Sequence, residues 1–156
     1  MDRTSQQFAL LLLLLAFYCL PHFVVLALAG YQIAVMPSGK VDEGALLDII
    51  KEVATQPGAY TNIIHQMIMP TVAAITAANA NSLTTRGMEK WIFVLPLLTI
   101  FVCILNALIF NTRSILPDQD KGVVSQFFIA AASNLAVYVM LLVGLRMAEP
   151  TTRGSQ

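Results

Sequence analysis

Residues 8–36 read FALLLLLLAFYCLPHFVVLALAGYQIAVM, and no Asp, Glu, Lys or Arg interrupts them. As a helix this run extends about 44 Å at a rise of ~1.5 Å per residue. A bilayer's hydrocarbon core is only ~30 Å thick. The segment therefore reads as a membrane-crossing helix with length to spare, which must tilt, kink or emerge at its far end. Pro21 has no backbone N–H to donate and is the expected kink. Tyr31 and Gln32 suit the emerging end, where a ring with a polar tip sits at headgroup depth. Ala27-Leu28-Ala29 before Gly30 resembles a small-residue cleavage site, but the apolar run ahead of it exceeds a signal peptide's usual core. A retained anchor is the expectation.

The same test carried outward finds three further charge-free stretches, Val53 to Thr85, Trp91 to Thr112 and Gly122 to Leu145. Residues 91–111 follow Lys90 with an interfacial Trp and are apolar almost throughout. Residues 122–146 close on Arg146, whose long stem can reach back to the interface. Both read as crossings. Residues 62–83 are apolar at the centre but bracketed by His65, Gln66, Asn79 and Asn81. Ala73 and Ala77 lie four apart, the spacing that lets helix backbones approach closely in lipid. This stretch reads as a crossing protected by the other three or as an amphipathic helix outside the bilayer; its lack of charge favours the crossing.

Between the first two stretches, residues 44–56 place Leu46, Ile49, Ile50 and Val53 at i, i+3, i+4, i+7, the period of a short amphipathic helix. Asp42 and Glu43 precede it, favourable at a helix N-terminus. It is expected to lie along the bilayer surface or cap the bundle. The fold class is thus all-α: a single polytopic helix bundle with three crossings, a fourth in residues 62–83, and one interfacial helix.

Composition agrees. Of 156 residues, 57% are hydrophobic and 12% charged, with a mean hydropathy of +0.72, about half the charge a soluble domain carries. Nine Lys/Arg balance nine Asp/Glu, so no basic surface recruits nucleic acid. Only Lys and Arg orient a membrane protein reliably. With four crossings, Arg3, Arg86, Lys90, Arg146 and Arg153 share a side opposite Lys40, Lys51, Arg113 and Lys121. With three crossings the bias is six against three. Both counts put the C-terminus in the cytoplasm.

Few residues offer chemistry. Cys19 and Cys103 each fall inside a crossing and read as small contact residues rather than a disulfide. His22, just after Pro21, is an ionisable group at membrane depth and a functional candidate on that ground; the plainer reading is a neutral imidazole bonded to carbonyls freed by the kink. His65 sits on the ambiguous stretch. One His from each of two helices suffices for haem, but no Cys, Asp or Glu stands at ligand spacing for a metal. Asn106 and Asn134 are amides deep in apolar sequence, where unpaired donors are costly, and are expected to bond between helices or between subunits. Gln126 and Ser133 share a side of the last helix and form a weak polar stripe.

The absences weigh more. No crossing holds Asp, Glu, Lys or Arg, against a carboxylate proton relay, a voltage sensor or a charged filter. No phosphate-binding glycine loop and no nucleophile with its base are present. The expected function is non-enzymatic and cofactor-free: a small integral membrane subunit working through helix contacts in a homo-oligomer or larger membrane complex. Its contact residues would be Ala73, Ala77, Asn106, Ser133 and Asn134, and its partners the bilayer and other membrane chains. An oligomeric pore is the alternative, and a small membrane enzyme or haem or metal holder using His22 and His65 is a third reading.

Overall fold

A computed structural model of the chain describes residues 3–35, 60–78, 89–112 and 118–147. All of these are helical: α1 (Arg3–Val35), α2 (Tyr60–Ala78), α3 (Glu89–Thr112) and α4 (Asp118–Met147). The expected interfacial helix over 44–56 and the end of the 62–83 stretch lie outside the described residues. Three helices hold stretches long and apolar enough to cross a membrane: Gln6–Tyr31, Lys90–Thr112 and Lys121–Leu145. The chain is thus compatible with an integral membrane protein, and its α1 runs unbroken as helix through Pro21. Tyr31, at the end of the first stretch, is exposed.

The helices form a ring in the order α1, α3, α4, α2, each touching the next and α2 closing on α1. Contact is most extensive between α3 and α4, which only five residues join, and least between α2 and α4. About a third of each long apolar stretch is buried, as a ring requires, since each helix meets two neighbours and turns its remaining surface outward. The core runs along the ring's axis and includes Leu11, Leu15 and Val25 of α1, Val72 of α2, Phe110 of α3, and Phe128 and Leu135 of α4.

Cross-helix pairs fix the helix directions. On α1 and α3, Cys19 lies beside Thr99 and Cys103, and the backbone of His22 meets Asn106. Residue numbers rise together, so these helices are parallel. On α1 and α4, Tyr18 meets Asn134, while His22 lies against Phe127 and Phe128. Here the numbers rise on one helix and fall on the other, so α4 is antiparallel to both α1 and α3.

At its N-terminal end α4 opens on Asp118, whose carboxylate accepts a hydrogen bond from Lys121 Nζ. That bond, and the charge behind it, hold the Asp118 carboxyl below its ordinary range. The Asp118 carboxylate is exposed and Lys121 half-buried, and an ion pair open to solvent on one side contributes little to stability.

Candidate functional site

Two features stand apart from ordinary apolar packing. One is a set of polar side chains enclosed by the ring; the other is the outward surface that α2 and α4 share.

The cluster follows from the ring. Lipid cannot hydrogen-bond a side chain, so polar groups at this depth turn inward or bond their own helix. His22, Thr76, Thr99 and Asn106 are all buried. Thr99 Oγ1 donates to Leu95 O at 2.7 Å, using the i−4 carbonyl of its own helix. Thr76 Oγ1 likewise donates to Val72 O at 2.7 Å and lies 3.3 Å from Tyr138 Oη. A hydroxyl has one proton, so Tyr138 is the donor in that second bond, which ties α4 to α2. Asn106 Nδ2 donates to the His22 carbonyl at 3.0 Å, tying α3 to α1. That carbonyl has a second lone pair and can take this bond beside its helical one. Asn106 Oδ1 is buried with no hydrogen-bond partner among the described residues.

The His22 ring is set among aromatic rings rather than in open space. Its centroid is 5.7 Å from Tyr18, 5.8 Å from Phe128 and 6.0 Å from Phe127. Among the described residues, no three His, Cys, Asp or Glu side chains converge as metal ligands. His65 falls in the first turns of α2, and its side chain lies outside the described residues. Cys19 and Cys103 are buried free thiols.

The outward surfaces differ in polar content. Mid-helix, α1 exposes Leu13, Phe17, Leu20 and Val24, and α3 exposes Leu97, Leu98, Phe101 and Ile104. These are bulky and apolar, as lipid contact asks. On the opposite side, α2 exposes Pro70, Thr71, Ala74 and Ala77 beside Met67, while α4 exposes Gln126, Ala130, Ser133 and Asn134 interspersed with Val123, Ile129, Val137 and Met140. Between α2 and α4 lies an open groove of about 420 Å³, walled by Met69, Pro70 and Ala73 on α2 and by Asn134, Val137, Tyr138 and Leu141 on α4.

The residues singled out from sequence therefore divide between the two features. Asn106 and His22 lie in the cluster. Ala73 lines the groove, Ala77 and Ser133 face outward, and Asn134 stands between, beside Tyr18 on its inner side and exposed on the groove wall. Ser133 Oγ is turned to its own helix, donating to Ile129 O at 2.9 Å. Tyr18, Thr76 and Tyr138 were not singled out; in sequence they carry no mark beyond being polar-tipped residues in apolar runs. In comparison with known proteins, the chain matches no family model, no curated protein and no solved structure.

Proposed function

We propose that this chain is a non-catalytic membrane subunit that assembles with other membrane chains through the side formed by α2 and α4. The observation that carries the reading is that polar side chains are exposed mid-helix on α2 and α4 (Thr71, Gln126, Ser133, Asn134) and not mid-helix on α1 or α3. Helices in lipid associate by close packing and interhelical hydrogen bonds, because apolar burial gives no advantage there. Small residues and amides serve that association; bulky apolar ones serve lipid.

The test is particle size. The purified chain is expected to exceed the mass of one copy by native mass spectrometry. Ala77→Leu and Ser133→Leu, both on exposed positions, should reduce that assembly and leave helix content unchanged, while Leu20→Ala on the far side leaves assembly intact. A monomeric wild-type particle would reject the reading. Ion flux in reconstituted vesicles would replace it with a pore.

The same proposal includes four crossings. Since α1 and α3 run parallel, a chain crossing at both must return between them, and α2 is the helix described there. Its apolar part, Met67–Ala78, reaches about 18 Å at ~1.5 Å each, so a crossing by α2 needs its polar first turns shielded by the other helices. Both termini then share a side, and the Lys/Arg bias makes that side cytoplasmic. Cysteines at Ser5 and Ser155 are expected to label from the same side of oriented vesicles, with buried Cys19 and Cys103 silent. Labelling from opposite sides would remove α2 from the membrane.

A further inference from the structure

We infer that His22 is an acid-sensitive lock: with its imidazole neutral the ring of helices stays closed, and protonation loosens the seam where α1 meets α3 and α4. The inference stands apart from the assembly reading and holds for a single chain or a larger particle alike.

His22 is 1% exposed and lies where three helices meet. Its ring has Tyr18 of α1 on one side and Phe127 and Phe128 of α4 on others, all with centroids within 6.0 Å. Its backbone carbonyl accepts the Asn106 amide of α3. A neutral imidazole suits such company. An imidazolium carries a full charge, which a low-dielectric interior accepts only beside an opposite charge. No crossing contains Asp or Glu.

The groups around it supply no counter-charge. On α1 and α3, Tyr18, Cys19 and Cys103 are a phenol and two thiols, uncharged near neutrality. The described side chains of α2, residues 67–78, include no titratable group. On α4, Tyr138 is a phenol bonded to Thr76. The charged residues of that helix's first turn, Asp118, Asp120 and Lys121, end about 9 Å along the axis from Phe127 at ~1.5 Å per residue. Asn106 Oδ1, buried without a hydrogen-bond partner among the described residues, offers a dipole and not a charge. Aromatic faces do attract a cation, but by less than the desolvation they would have to offset.

The sign follows. The chain has two histidines, and imidazole is the side chain whose ordinary value, about 6.5, lies between pH 5 and 8. Above that value the lock is intact. As pH falls through it, a conformation that lets His22 reach water binds a proton and the closed ring does not, so acid draws the balance away from the closed ring.

Thermal unfolding at one protein concentration, in a detergent whose headgroup does not titrate, tests the inference. The wild-type midpoint is expected to fall by about 5 °C or more between pH 8 and pH 5. His22→Gln should remove most of that fall, and His65→Gln should retain it. The buried native thiols give a reading that needs no variant. Cys19 and Cys103 should be protected from dithiodipyridine at pH 8 and lose that protection at pH 5, with rates taken relative to glutathione. A midpoint that is flat across this range, or a fall that His22→Gln keeps in full, would overturn the inference. So would thiols equally protected at both pH values.

Discussion

Phe128→Ala is expected to destabilise the bundle by roughly 2–4 kcal/mol, read as a lower unfolding midpoint in a fixed detergent. Phe128 is 2% exposed. Its ring stacks on Phe110 at 5.8 Å with 4° between planes, meets Phe127 edge-on at 5.4 Å, and lies 5.8 Å from His22. It is where α1, α3 and α4 converge. In a soluble core Phe→Ala costs about 3–5 kcal/mol, partly through loss of transfer out of water. That part shrinks in lipid, which is as apolar as the core. What remains is lost dispersion contact and an unfilled cavity. Asn106→Leu provides the contrast. It removes the bond to the His22 carbonyl, of a kind averaging about 0.6 kcal/mol in one well-studied membrane protein, and also removes an acceptor that has no partner among the described residues. Its cost is expected to stay under about 1 kcal/mol. If Asn106→Leu proved the more damaging, polar bonding rather than packing would be holding the ring.

These two residues also mark how far the sequence could be read. Lipid imposes one crude demand, a long run without charge, and α1, α3 and α4 meet it. Their existence was legible for that reason alone. The α2 segment was ambiguous because Pro70, Thr71, Thr76 and its alanines dilute the hydropathy. What places it in the ring is contact with α1 and α4, a tertiary fact. Asn106 was legible as a polar group in need of a partner, but the partner is a main-chain carbonyl, which no side-chain pattern marks. Thr76 and Tyr138 meet across 62 residues, and their meeting depends on helix order and direction, neither of which hydropathy encodes. Ser133 was visible as polar, yet its hydroxyl bonds Ile129 O on its own helix, so it adds to the α2–α4 side chiefly by being small. Asn134 differs because its amide keeps an edge outside the bundle. The division between an apolar α1–α3 side and an α2–α4 side with polar residues exposed mid-helix needed the helix order before it could be seen.

That division leads to the other large expected effect. Phe101→Lys should sharply lower the fraction of chains in which α3 is inserted, whereas Trp91→Lys should leave its insertion near normal. Both side chains are outward, 58% and 62% exposed, and both lie on α3. Depth separates them. Phe101 is the central residue of Lys90–Thr112, while Trp91 follows Lys90 at the boundary. A lysine at a crossing's centre costs about 2.5–3.5 kcal/mol on the insertion scale, more than a tenfold change in the inserted fraction. Its stem cannot carry the ammonium across half a bilayer to the headgroups, though it can do so from the first turn. A packed protein interface would offer the charge a carbonyl or a hydroxyl. The surface around Phe101 offers Leu97, Leu98 and Ile104. The measurement is the membrane-inserted fraction of each variant at equal synthesis. Equal insertion of the two would mean that Phe101 does not face hydrocarbon at the centre of the bilayer, and the assignment of the α1–α3 side to lipid would fail with it.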